Sequence, residues 1–281
     1  MYKNYIGFGI AGNFAHHLDQ AGEANDFINV KVDEENAPKG IFPFYVPNDK
    51  SYRGVYPLNS DTIIHPRIEN GNLHMEPEVG IICEIIYDEN NIVTNIIPKK
   101  FGAYNDCSIR KESAKKISEK KNWGKNTKGF STQLIDIDKF SNGGMMDNYY
   151  IASFLKRDGE FYEYGKDSAV LTYNYFYDKL IKWIIEKLNT QKDFGPLENL
   201  KEHLKTAKYP KEMIISIGAT SYTPFGENGF LAIGALHIYS VEVGEIRSLA
   251  VEPNFQKKGL GRKIVAELEK VTGFQFKITS G

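Results

Sequence analysis

The sequence has 281 residues, with 35 Lys and Arg against 36 Asp and Glu and a net charge of −1, so no excess of positive charge is available to grip a phosphate backbone or an anionic membrane, and neither is expected as a partner. A composition of 41% hydrophobic, 25% charged and 13% aromatic residues is globular and excludes disordered and fibrous chains. The length suits one large domain or one domain with an appendage.

The longest apolar stretch, Val79 to Ile86, is broken by Glu84 and falls well short of the roughly 20 residues of a membrane helix. Near the start, Asn4, Gly7, Gly9, Gly12 and Asn13 interrupt what would have to be a hydrophobic signal core. Cys83 and Cys107 are the two cysteines, which implies no disulfide framework and makes a reducing cytoplasm the expected setting.

In chain order, residues 13 to 26 (NFAHHLDQAGEAND) read as a short helix with Asn13 placed to cap it, followed by the strand-like FINVKV. The next segment, ENAPKGIFPFYVPN, reads as loop, because Pro38, Pro43 and Pro47 forbid a helix. DTIIHP, LHMEPEVGIICEIIY and NIVTNIIP are β-type runs, dense in β-branched residues and punctuated by Asn, Gly and Asp. Lys111 to Lys128, rich in lysine and poor in apolar residues, reads as a solvated helix and loop whose lysines other than Lys128 are surface charges. A strand-like YYIASFLKRDGEF precedes an amphipathic helix from about Tyr173 to Leu188, with Phe176, Leu180, Ile181, Ile184, Ile185 and Leu188 recurring at helical spacing. A second short helix holds Leu197, Leu200 and Leu204, and a buried strand, MIISIG, leads into the turn ATSYTPFGENG. GALHIYSVEV and EIRSLAVEP then read as two adjacent strands, and Gly259 to Lys270 as a helix.

Gly7, Gly9 and Gly12 match G-x-G-x-x-G, the loop that brings backbone N–H groups to a dinucleotide pyrophosphate. Too few residues precede Gly7, and the following helix is too short. Glycines that let a strand and a helix pack closely are the better reading.

Glu76-Pro77-Glu78 lies in a β-type run, so alternation sends both carboxylates to the same side of the strand. An isolated E-x-E more commonly presents two solvated acids. Two acids so placed also repel unless a cation lies between them; a divalent ion would resolve this, with Asp106, at the end of the next strand-like segment, as the candidate third oxygen ligand. The order Asn13 to His17, Glu76-Pro77-Glu78, Tyr104-Asn105-Asp106-Cys107-Ser108-Ile109-Arg110, then Trp123 to Lys128-Gly129-Phe130, resembles the fumarylacetoacetate hydrolase superfamily over about residues 5 to 231. ASFLKRDGEF, and ISIGAT followed by PFG, match its later strand and turn.

The resemblance implies a mostly β fold of the α+β class with peripheral helices, in which Glu76, Glu78 and Asp106 hold Mg2+ or Mn2+. It places Lys128 beside the metal, His17 on an N-terminal lid as the general base, and the chain in a homodimer acting on a small-molecule oxo acid. Members of that superfamily cleave carbon–carbon bonds next to a carbonyl, hydrolyse acylpyruvates or decarboxylate β-keto acids. One departure stands out: the family's lid histidine is followed three residues later by a glutamate, whereas His17 is followed by Leu18-Asp19-Gln20. Either Glu23 or Asp19 substitutes, or hydrolysis is lost and decarboxylation, isomerisation or binding remains.

In the tail, Gln256-Lys257-Lys258-Gly259-Leu260-Gly261 follows a strand ending in V-E-P and resembles the core motif of GCN5-related N-acetyltransferases. Amides of Lys258, Gly259, Gly261 and Arg262, with Gln256, would meet the pyrophosphate of acetyl-CoA at a helix N-terminus. Only a β-β-α half of that domain is accounted for. The expected organisation is therefore 1–231 as the hydrolase-like domain and 232–281 as a truncated acetyltransferase-like segment, unless Phe230-Leu231-Ala232-Ile233-Gly234 instead closes the preceding sheet. A metal-dependent enzyme is the leading reading, acetyl-CoA binding the second, and a catalytically silent binding protein on the same fold the third.

Overall fold

Strands dominate the computed structural model, which describes residues 2–14, 20, 24–32, 34–66, 73–110, 114–157, 160–228 and 234–240. The elements are β1 (Ile6–Ala11), β2 (Gly40–Tyr45), β3 (Leu58–Asn59), β4 (Leu73–His74), β5 (Pro77–Tyr87), β6 (Val93–Asn105), β7 (Ser108–Ile109), α1 (Ser118–Lys121), β8 (Lys128–Phe130), β9 (Ile135–Asp136), β10 (Tyr149–Arg157), β11 (Glu160–Ala169), α2 (Tyr177–Thr190), α3 (Leu200–Thr206), β12 (Glu212–Ser216), α4 (Pro224–Asn228) and β13 (Gly234–Ser240). The chain is thus mixed α+β with few helices.

The main sheet runs β2-β1-β12-β5-β6-β8-β3, with β9 on β6. β1 and β12 are parallel, as are β3 and β8; the other pairs are antiparallel. Both faces of its centre are covered, which is why β5 and β12 read as near-continuous apolar runs rather than alternating ones. Val79, Ile81, Cys83 and Ile85 of β5 and Ile6, Phe8 and Ile10 of β1 face Leu180, Ile184 and Leu188 of α2 and Leu200 of α3. On the opposite face Ile82 and Ile214 join Phe42, Phe44, Tyr104 and Phe130.

Gly7 and Gly9 of β1 lie under the rings of Phe44 and Phe42. A Cβ would come within 2.2 Å of one ring and 2.3 Å of the other. The glycine pattern is therefore a packing device inside a strand, though what it admits is aromatic rings rather than a helix.

Several expectations are corrected. β2 forms inside the proline-rich segment, because it is an edge strand and Pro43 need not donate there. FINVKV is not a strand: Phe27 ends a 3-10 turn, and the Val30 N–H returns to the Phe27 carbonyl at 2.9 Å. DTIIHP is irregular, held by Asn59 Oδ1, which accepts from the Asp61 and Thr62 N–H groups at 2.7 and 2.8 Å. The Asn13 side chain bonds the distant backbone of Tyr175 and Ile217, while residues 15–19 and 21–23 of the helix it is expected to cap lie outside the described residues. ATSYTPFGENG contains the short α4. The amphipathic helix begins four residues later than its periodicity suggests, with Phe176 in extended conformation as its cap.

A second sheet, β11-β10-β13, packs beside the first. β13 pairs antiparallel with β10 from Tyr149↔Ser240 to Leu155↔Gly234, so the first strand of GALHIYSVEV joins the preceding sheet. The remaining tail, including Gln256, Lys258, Gly259, Gly261 and Arg262, lies outside the described residues. Among the described residues, no helix is long and apolar enough to cross a membrane.

Candidate metal and acid site

The β5–β6 hairpin builds the site. Its register pairs Pro77 with Asn105 and Glu78 with Tyr104, and one further bond, from the Asp106 N–H to the Glu76 carbonyl at 2.9 Å, carries the ladder just past the strands. Asp106 is thereby delivered opposite Glu76, while the two-residue period keeps Glu78 on the same side. Ligand oxygens of Glu76, Glu78 and Asp106 lie within 4.8 Å of one another, all three residues being buried.

Three cations answer the three acids. Lys121 Nζ lies 2.6 Å from Glu76 Oε2 and 2.6 Å from Asp106 Oδ2. Lys128 Nζ is 3.3 Å from Asp106 Oδ1 and also donates to the Cys107 carbonyl. Arg110 spans the other side: its Nη2 meets Glu76 Oε1 at 3.0 Å and donates to the Tyr222 hydroxyl at 3.3 Å, and its Nε donates to His74 Nδ1 at 2.9 Å. The cluster lines a narrow cavity with room for about one water molecule, walled on the apolar side by Ile10, Ala11, Phe42 and Ile117.

Glu78 has a different partner, accepting the Gly218 N–H at 2.9 Å on Oε2. That amide is aimed by a backbone φ of +117°, a conformation open in practice to glycine. Asn13 secures the same turn: its Nδ2 donates to the Tyr175 and Ile217 carbonyls at 3.0 and 2.9 Å, and its Oδ1 accepts the Tyr175 N–H at 2.8 Å.

Burial and the nearby Asp106 charge hold the Glu78 carboxyl well above its usual range, with Lys121 opposing. Burial also raises Asp106 against the pull of Lys121 and Lys128. The Lys128 ammonium is lowered by desolvation, which outweighs the attraction of Asp106. Such a cluster favours an arriving cation, because a positive ion stabilises both charged carboxylates.

The structure brings Glu76, Glu78, Asp106 and Lys128 together, as the motif order requires. His17 and Glu23 lie outside the described residues. Gln20 is turned to the backbone of Tyr222. Lys120 and Lys121 correct the surface reading of the lysine-rich segment: both are buried, Lys120 pairing with Asp26 at 2.7 Å. Asn122, the residue after α1, donates to the Phe44 and Val55 carbonyls at 2.8 and 2.9 Å and so pins the helix end that carries Lys121. No local sequence signal marks Lys121 as buried. Arg110 belongs to the quoted motif, but its grip on Glu76 follows from tertiary structure.

A family model described as a family of unknown function, DUF5718, matches residues 23–259. A search of the curated proteins finds no match. Among solved structures the chain is similar to Cg1458 in complex with an inhibitor, at 16% identity and a TM-score of 0.48, covering 85% of this chain and 74% of that one. It is similar to fumarylacetoacetate hydrolase from the psychrophile Exiguobacterium antarcticum at 12% identity and a TM-score of 0.47, covering 85% and 72%. Maleylpyruvate hydrolase from Sphingobium sp. SYK-6 matches at 10% identity and a TM-score of 0.44, covering 85% and 68%. The comparisons lend no support to an acetyltransferase-type tail.

Proposed function

Since the chain belongs to the family of unknown function DUF5718, its activity has to be argued from its own site, and we propose a divalent-metal-dependent enzyme acting on a small oxo acid. The observation that carries this is the convergence of Glu76, Glu78 and Asp106, buried and within 4.8 Å of one another, at the end of a cavity. The donor set fits Mg2+ or Mn2+: hard carboxylate oxygens, from residues that a hairpin register holds in place. When bound, such an ion supplies Lewis-acid polarisation of the substrate carbonyl.

The chain's own residues supply the rest. Lys128, fully buried beside Asp106, places a positive charge where an enolate oxygen would develop. Arg110 orients Glu76 and is itself fixed by His74 and Tyr222. Phe42, Ile10 and Ile117 narrow the mouth and limit water around the reacting acid. His17 is proposed as the base for hydrolysis, a step that decarboxylation does not need.

Mn2+ binding followed by electron paramagnetic resonance, with parallel assays of oxaloacetate decarboxylation and acylpyruvate hydrolysis, tests the reading. Glu78→Gln is expected to lose Mn2+ binding and both activities, whereas His17→Ala should lose hydrolysis alone. Wild-type protein that fails to bind Mn2+, or a Glu78→Gln variant that binds it unchanged, would sink the proposal.

A further inference from the structure

We propose that Lys121 is a tethered counter-cation that holds Glu76 and Asp106 together, and that a divalent ion enters this site only in exchange for it. The inference rests on the metal reading above and deepens it.

All four oxygens of Glu76 and Asp106 face a cation. Glu76 Oε1 meets Arg110 and Oε2 meets Lys121; Asp106 Oδ1 meets Lys128 and Oδ2 meets Lys121. Among the described residues, Lys121 is the cation paired with both acids. A Mg2+ ion needs carboxylate oxygens at about 2.0 to 2.1 Å. An ammonium 2.6 Å from the same oxygens would then lie in contact with the ion, two like charges inside a buried cluster.

Charge counting points the same way. Counted in the ionised form that a metal ion requires of its ligands, the three carboxylates balance Lys121, Lys128 and Arg110. A divalent ion added to the cluster would leave two uncompensated positive charges. Exchange for Lys121 leaves one, which a monoanionic acid substrate then neutralises.

Of the three cations, Lys121 is the one placed to leave. Lys128 is held by the Cys107 carbonyl within the sheet and lies over the Trp123 ring at 5.5 Å. Arg110 is held by His74 and Tyr222. Lys121 lines the cavity, where its Nζ also lies over the Phe42 ring at 5.2 Å, and its backbone can stay pinned by Asn122 while the four-carbon side chain changes rotamer.

The test compares Mn2+ affinity of the full wild-type chain and Lys121→Met, which keeps the length of the side chain and removes its charge. The variant is expected to bind Mn2+ more tightly by about 30-fold or more, because the competing cation is gone. Equal or weaker binding by the variant, with wild type binding Mn2+, overturns the exchange and leaves the metal reading standing. Binding by neither protein overturns the metal reading and the exchange with it. Should Lys121→Met fail to fold, amine methylation of the wild type read by mass spectrometry decides. Lys121 should be protected without Mn2+ and modified about tenfold faster at saturating Mn2+, as expected for a released side chain. Unchanged protection with Mn2+ bound overturns the proposal.

Discussion

The side-chain amide of Gln20 and the backbone of Tyr222 hold each other through two hydrogen bonds: Gln20 Oε1 accepts the Tyr222 N–H at 2.9 Å, and Nε2 donates to the Tyr222 carbonyl at 3.3 Å. The Tyr222 hydroxyl in turn accepts from Arg110, which grips Glu76. A residue early in the chain is thus tied, through one tyrosine, to the acid cluster.

An amide can complete this pair and a carboxylate cannot, since both a donor and an acceptor are needed. Gln20→Glu, although it restores the glutamate of the related motif, is expected to destabilise the fold by about 1 to 2 kcal/mol. Thermal unfolding checks this. A variant as stable as wild type would show that the pairing contributes nothing.

Asn13 makes three buried side-chain bonds to the Tyr175 and Ile217 backbone. Asn13→Ala would strand two carbonyls and an N–H away from water. The expected cost is about 3 kcal/mol, less than the sum of three separate losses because the site can relax. Denaturant titration measures it, and a loss below 1 kcal/mol, roughly one ordinary hydrogen bond, would contradict the assignment.

Both thiols should be inert in the folded protein. Burial pushes the Cys107 thiol up to about 12, with Lys128 opposing, and burial also raises Cys83. Reactivity follows the thiolate, which is scarce at neutral pH for both. Iodoacetamide should modify neither residue in the native chain and both in concentrated guanidinium. Rapid native labelling of Cys107 would mean that the floor beneath Lys128 opens.

What the sequence made legible follows physical range. Glu76 and Glu78 could be placed on one side by the two-residue strand period, whereas Asp106 was joined to them through the motif order of the resembled superfamily. The face of α2 carrying Leu180, Ile184 and Leu188 was legible from its period too, the helical one. Lys121 was not: its burial is decided by Glu76, 45 residues away, and nothing in its neighbours distinguishes it from a solvated lysine. The bonds of Asn13 were not legible either, because its partners lie 162 and 204 residues along the chain. β2 was hidden by Pro43, since edge position, which makes a proline tolerable, is a property of the sheet.

Gly218 offers a way to separate the shape of the site from stability at large. At a φ of +117° its N–H reaches Glu78, and a Cβ there would stand 3.1 Å from the Asn13 Cβ. Gly218→Ala must either adopt a strained backbone or rotate the amide away from Glu78. The expected loss of stability is about 2 kcal/mol. Mn2+ affinity should fall about tenfold as well, because an outer partner that orients a ligand is lost. Gly195 is the control: it also has a positive φ, +53°, but a Cβ there meets nothing within 4 Å. Gly195→Ala should cost about 1 kcal/mol in stability through backbone strain and leave Mn2+ affinity unchanged. Equal effects of the two substitutions on Mn2+ affinity would show that Gly218 acts through general stability alone, not through the carboxylate it aims at.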